Sequence, residues 1–365
     1  MALTRLAVKR KASASVHGCY LCNENHDNGK CKIGKNKKIK NEENPKTISH
    51  DALEKGFNRG GDKQPKKETQ RDVRITEMPL EVIHSHRTNV CVVTKVFASI
   101  SGLLLLIDEA SEQSFQTIMV DGNEINVKSE MKNIKVFDIT EIKKSEFILS
   151  FVDDTFLKRM NSKGSLRKFL DFSPLLPRAL HITASGHLLV GVREKGEAFP
   201  VKSKSCRQLI VVDLKGKTMH TYQYSKKRKR LFSLIVRIAT SSNDDIYLID
   251  RETYEGYGCV AALDYPNKIK WRYTGNNNIT SCRFCPGDIM ITNTDTIVVT
   301  DIDNALIHIL NINGLLTNYI DTSKQGISFP HMICLGVDGL MWIGCSTQED
   351  SSDRAMLYGV KYLEI

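Results

Sequence analysis

A short phrase returns six times along this chain, and its period limits the fold more than any other feature. A small polar turn runs into an apolar strand at Gly102-Leu103-Leu104-Leu105-Leu106-Ile107-Asp108, and again at Glu146 to Asp153. It recurs at Gly186-His187-Leu188-Leu189-Val190, Asp245 to Asp250, Thr296 to Asp301 and Asp338-Gly339-Leu340-Met341-Trp342-Ile343-Gly344. The spacings are about 43, 41, 58, 50 and 45 residues, the period of a four-stranded propeller blade. A second signal is locked to the first. Some 15 to 30 residues after most of these runs comes a tight-turn sequence such as Asp121-Gly122, Lys163-Gly164, Lys215-Gly216 or Asn313-Gly314. Such pairs supply the positive φ of a short hairpin. The expected fold is all-β: a six-bladed β-propeller.

The phrase places blades at about 95–132, 133–175, 176–226, 231–276, 282–323 and 326–365. The sixth is one strand short. A closed ring repairs this by taking its outer strand from the N-terminal side, and the candidates are Val82-Ile83 and Val90-Cys91-Val92-Val93. Closure removes the exposed edges that would otherwise aggregate.

Charge divides the chain into two parts. Of 52 Lys+Arg and 42 Asp+Glu, residues 1–71 hold 17 and 8, leaving 35 and 34 for the rest. The basic excess therefore belongs to the tail, and the repeat region is near neutral. A basic tail is drawn to RNA, DNA or an acidic protein surface, or simply stays solvated. No apolar segment follows Met1 to Lys11 as in a secretion signal, and no run approaches the ~18 apolar residues of a membrane span. The expectation is an intracellular protein, cytoplasmic or nuclear and monomeric, with its ten cysteines reduced or metal-bound.

The tail reads as a disordered lead (1–16), a metal-binding segment (17–32) and a disordered basic linker (33–75). Cys19, Cys22, His26 and Cys31 form a C-x2-C-x3-H-x4-C array, whose three thiolates and one imidazole would complete a tetrahedral Zn²⁺ shell. In so short a segment the metal would supply most of the folding energy. Lys35, Lys37, Lys38 and Lys40 follow, placed to contact phosphates, with Tyr20 placed to stack on a base. The spacing resembles a zinc knuckle of the nucleic-acid-binding Gag type, with one residue fewer between the second Cys and the His. It also resembles the opening of a B-box, although the later ligands of a two-zinc B-box are missing.

Leu180-His181-Ile182-Thr183-Ala184-Ser185-Gly186-His187-Leu188-Leu189-Val190 and Ile291 to Asn304 carry the blade phrase best. They are similar to the NHL repeat, and residues 76–365 resemble the propeller of tripartite-motif (TRIM-NHL) proteins of the divergent invertebrate kind. The resemblance implies a propeller face that takes a protein or RNA partner. It does not imply intrinsic ubiquitin-ligase activity, because the chain has no RING and no heptad run for a coiled coil.

Three further features bear on function. Lys226-Lys227-Arg228-Lys229-Arg230 must lie on a propeller face, as phosphate contacts, a nuclear-import patch or a solvated loop. Cys282 and Cys285 have the spacing of half a zinc site, and read as structural. Asp108, Asp153, Asp250 and Asp301 each end an apolar run, where they either cap a turn or bind Ca²⁺ at the channel rim of a propeller hydrolase. No nucleophile elbow, Walker loop or HExxH motif is present. The expectation is a non-enzymatic recognition protein that binds a protein or RNA, with zinc in the tail. The alternatives are a substrate adaptor for a ubiquitin ligase and, further off, a calcium-dependent hydrolase.

Overall fold

The structure is a computed structural model that describes residues 75–361 apart from 123, 265 and 348–352. Among the described residues, regular structure consists of 25 strands and one 3-10 turn at Thr322–Gln325. Two short strands come first, β1 (Thr76–Glu77) and β2 (Glu81–Arg87). Blade 1 is β3 (Lys95–Ala98), β4 (Leu104–Asp108), β5 (Ser114–Asp121) and β6 (Glu124–Met131). Blade 2 is β7 (Val136–Lys143), β8 (Glu146–Phe151), β9 (Phe156–Met160) and β10 (Leu166–Asp171). Blade 3 is β11 (Leu176–Ile182), β12 (Leu188–Arg193), β13 (Arg207–Val212) and β14 (Thr218–Tyr222). Blade 4 is β15 (Ile235–Thr240), β16 (Ile246–Arg251), β17 (Gly258–Asp264) and β18 (Lys268–Tyr273). Blade 5 is β19 (Pro286–Ile291), β20 (Ile297–Asp301), β21 (Leu306–Leu310) and β22 (Leu316–Asp321). Blade 6 is β23 (Pro330–Leu335), β24 (Met341–Cys345) and β25 (Met356–Lys361).

Every blade is an antiparallel meander, and the first strands pack side by side to line a central channel. The second strands read as unbroken apolar runs because both of their faces are covered by neighbouring blades. All of β4, β12, β20 and β24 is buried. The fourth strands face water on one side and alternate, as in β18. The core therefore lies between blades. Tyr247, Ile249 and Val260 of blade 4 pack with Ile289, Ile297 and Val299 of blade 5. Each such side chain contributes about 1.5–3 kcal/mol by leaving water.

The ring closes through β2, which supplies the fourth strand of blade 6 by pairing antiparallel with β25. Of the two candidate closing segments, Val82-Ile83 takes that place. Val90 and Val93 instead pack into the seam between blades 6 and 1 with Val96, Leu106, Trp342 and Leu357. β1 adds in parallel to the outer edge of blade 5, opposite Asn318 and Tyr319. At one turn glycine is required: Gly314, between β21 and β22, has φ +76°, and a Cβ there would lie 2.5 Å from Trp271 Cδ2 of the neighbouring blade.

Five of the six inner strands slip register against their second strand near their first residues, at Val136/Asp138, Pro177/Leu180, Ile235/Arg237, Pro286/Ile289 and Pro330/Met332. A bulge there bends the strand and re-aims one side chain. These breaks place Asp138, Arg178, Arg237 and Asp288, while Lys95 stands at the start of the unbroken β3.

Candidate anion-binding face

Inner strands begin and second strands finish at the same end of the propeller, its upper end. Four charges of the inner strands neutralise one another inside the channel. Lys95 Nζ lies 3.1 Å from Asp288 Oδ2 and 3.8 Å from Asp138 Oδ1, and Arg237 Nε lies 3.5 Å from Asp288 Oδ1. Arg237 also donates across the channel to the Thr94 carbonyl at 2.7 Å. Asp138 accepts from the Leu180 amide at 2.9 Å. Burial pushes the Asp138 carboxyl up, against the pull of Lys95 and Arg237. Two cations and two carboxylates in contact form a structural bridge that ties blades 1, 2, 4 and 5.

The charge above this bridge is not balanced in the same way. A cavity of about 40 Å³ is lined by Glu109, Phe137, Val152, Arg178, Arg193, Ala198, Phe199, Leu234, Val236, Arg251 and Tyr254. Arg178 comes from the bulge of β11, Arg193 and Arg251 end the second strands of blades 3 and 4, and Glu109 directly follows that of blade 1. All four are buried. Arg178 stacks its guanidinium 4.9 Å from the Phe137 ring centroid. Burial, followed by repulsion from Arg193, carries its pKa down to about 10. Arg193 donates to the carbonyls of Glu194 and Gly196 at 2.9 and 2.8 Å. Arg207, beside it in the β12–β13 ladder, donates to Ala198 and pairs with Glu194 at 2.9 Å. These two arginines build the long loop 194–206. Glu109 is different: its Oε1 has no hydrogen-bond partner, and burial pushes its carboxyl up to about 7 although Arg178 and Arg237 pull the other way.

A second basic feature lies on the same end. The run 226–230 forms a tight turn between blades 3 and 4, closed by the Tyr224–Arg230 bridge and by Ser225 N donating to Lys229 O at 2.8 Å. Lys226, Lys227, Arg228 and Lys229 are exposed. Arg230 behaves differently. It clamps the turn to loop 194–206 by donating to the carbonyls of Ser205, Lys202 and Ser203. That loop carries exposed Lys195, Lys202 and Lys204. Seven cations thus share one pinned corner with a single exposed carboxylate on that loop, Glu197, because Glu194 is taken up by Arg207. Tyr224, 41% exposed at the base of the turn, was not singled out from the sequence.

The other sequence candidates separate clearly. Cys19, Tyr20, Cys22, His26, Cys31, Lys35, Lys37, Lys38 and Lys40 lie outside the described residues. Asp108 accepts from the amides of Ala110 and Ser111, Asp250 from those of Ser233 and Leu234, and Asp301 from that of Cys285. These three cap turns. Asp153 pairs with Lys135 at the surface. Cys282 is exposed and Cys285 buried, and Asn304 accepts from the Cys282 amide at 2.8 Å. Among the described residues, metal-type ligands converge at Asp250, Glu252 and Cys259. Arg272 occupies that cluster, 3.1 Å from Asp250 and 2.8 Å from the Cys259 sulfur, so the site holds a guanidinium. None of these aspartates lines the cavity. Glu109 and Arg251, each one residue further on, reach the cavity, as does Arg193 at the matching position of blade 3. No described helix is long and apolar enough to cross a membrane.

The sequence matches no known family profile and no curated protein. The fold, by contrast, has many solved counterparts. A luciferin-regenerating enzyme superposes with TM-score 0.56 at 13% identity, over 76% of this chain and 95% of that one. Virginiamycin B lyase from Staphylococcus aureus gives 0.53 at 12%, over 79% and 100%. Regucalcin, a calcium-binding protein of Agrobacterium tumefaciens, gives 0.54 at 12%, over 79% and 96%. At such identities the likeness establishes the all-β six-bladed propeller class. It also corrects the expectation of a non-enzyme. Two of these propellers are named as enzymes, so this architecture carries catalysis in sequences very unlike this one. The missing motifs therefore do not argue against it.

Proposed function

We propose that the upper corner of blades 3 and 4 is a binding platform for single-stranded RNA and that the protein is an RNA-recognition propeller. The observation that supports this most is the Arg230 clamp, which joins two loops into one surface bearing Lys195, Lys202, Lys204, Lys226, Lys227, Arg228 and Lys229. Surface cations gain affinity by releasing counterions from phosphates, and holding them in place lowers the ordering cost. Tyr224 adds an aromatic face on which a base can stack, the usual companion of a basic groove in single-strand binding. The likeness of the blade phrase to NHL propellers supports the same reading. In it, Cys19, Cys22, His26 and Cys31 hold one Zn²⁺, and Tyr20, Lys35, Lys37, Lys38 and Lys40 give the tail a second grip. Two weak sites on one chain raise affinity through effective concentration.

The test is fluorescence anisotropy with a labelled single-stranded RNA across a salt series, using the full chain and a variant with Lys226, Lys227, Arg228 and Lys229 changed to Gln. Single-strand binding loses about 0.7 of log–log salt slope per phosphate contact, so the variant should lose a slope of about 3. An unchanged slope sinks the platform. Elemental zinc analysis of wild type against Cys19→Ser tests the tail separately.

A further inference from the structure

We propose that the cavity at the channel mouth is a separate site for a small hydroxylated organic anion, of the hydroxy-carboxylate class, held by Arg178 and oriented by Glu109. This site shares loop 194–206 with the corner assigned to RNA but uses none of its exposed cations, and does not depend on that reading.

Two observations support the proposal independently. The first is Arg178. A buried guanidinium has five donors, and desolvating it is costly unless acceptors meet them. Among the described residues no acceptor hydrogen-bonds this guanidinium. Its close neighbour is the Phe137 ring; Arg193 and Arg207 repel its charge, while Glu109 and Asp153 attract it without closing an ion pair. The second is Glu109. Its buried Oε1 is an acceptor without a donor, on the wall of the same cavity. A purely structural pair would have closed the gap, as Arg207 and Glu194 do on the next strand at 2.9 Å. Arg178 and Glu109 instead form no such pair, and both line the cavity together with Arg251.

A ligand that satisfies both groups needs an anionic end for Arg178 and a hydrogen-bond donor for Glu109. A carboxylate matches the flat fork of a guanidinium. A hydroxyl on the adjacent carbon donates to Oε1. The remaining walls, Phe137, Val152, Ala198, Phe199, Leu234 and Val236, are apolar, which suits a small carbon skeleton. The channel bridge below is already neutralised, so it does not compete for the anion.

The proposal is tested by thermal unfolding of the full chain titrated with lactate, with propionate as the same anion lacking the hydroxyl, and with chloride at matched ionic strength. Lactate should raise Tm saturably and more than propionate, and chloride should not. Arg178→Met should bind lactate about tenfold more weakly or worse. Without ligand it should melt above wild type, because it removes a repelled cation. Glu109→Leu should bind lactate and propionate alike. Replacing Lys226, Lys227, Arg228 and Lys229 should leave the lactate response unchanged, whatever becomes of RNA binding. A lactate response no larger than that to chloride in wild type overturns the proposal even if a variant fails to fold. So does an intact response in Arg178→Met, and a lowered Tm in that variant assigns Arg178 a scaffold role instead.

Discussion

Glu109→Gln should make the protein more resistant to unfolding as pH rises, and the size of the effect follows from the cavity. The ordinary value for a glutamate is 4.5, and burial carries Glu109 to about 7. Its protonated form is thus favoured in the fold. Below about 4.5 the side chain is neutral in both folded and unfolded chains and costs nothing extra. Between 4.5 and 7 the unfolded chain ionises while the fold resists. Stability that is fully present below the unfolded value is therefore lost as pH rises through the folded one. At 1.36 kcal/mol per pH unit, the loss comes to about 3 kcal/mol. Glutamine has nearly the same shape and does not titrate, so the variant escapes this loss.

The assay is urea unfolding of wild type and Glu109→Gln at pH 5 and pH 8, in a buffer free of organic anions. Every other titrating group is common to both chains and cancels in the difference between them. That difference should move by about 3 kcal/mol in favour of Gln from pH 5 to pH 8, with the urea slope unchanged. A difference independent of pH would show that the Glu109 carboxyl is ionised throughout, stabilised by Arg178 and Arg237. That result would refute the argument that burial dominates at this site.

Three other substitutions test the frame around the site. Asp288→Asn leaves Asp138 as the one carboxylate of the bridge against Lys95 and Arg237 and should cost about 3–5 kcal/mol, read as a fall in the urea midpoint. Gly287→Ala puts a Cβ 2.3 Å from the His331 carbonyl, so it should cost about 3 kcal/mol by the same measurement. Deleting residues 1–88 removes β2 and bares the edge of β25, and the product should elute as aggregate on size-exclusion chromatography while the deletion of 1–71 should not.

The architecture was legible because burial between stacked blades forces the same phrase on every second strand. Leu104 to Ile107 and Met341 to Ile343 are apolar throughout for the same physical reason, although the two segments share little sequence. Closure was half legible. The missing strand of blade 6 pointed to the N-terminal side, but Val82-Ile83 and Val90 to Val93 are equally apolar, and only pairing with β25 distinguishes them. The site was not legible, because a propeller axis gathers residues that are far apart in the chain. Lys95 meets Asp288, and Arg237 meets Thr94, through ring closure alone.

A signal was nonetheless present. Lys95, Asp138, Arg178, Arg237, Asp288 and His331 recur with the blade period, one of them in each inner strand. An apolar strand gives up its pattern only where something compensates, and here there are two kinds of compensation. Lys95, Arg237, Asp138 and Asp288 answer each other and hold the ring. Arg178 is buried against Phe137, repelled by Arg193 and Arg207 and attracted by Glu109 and Asp153, with no ion pair closed on it among the described residues. Burial alone marks five arginines in this protein as unusual. Of these, Arg178, Arg193 and Arg251 line the cavity. The orphaned Glu109 oxygen on the wall of the same cavity as Arg178 gives the site its second end.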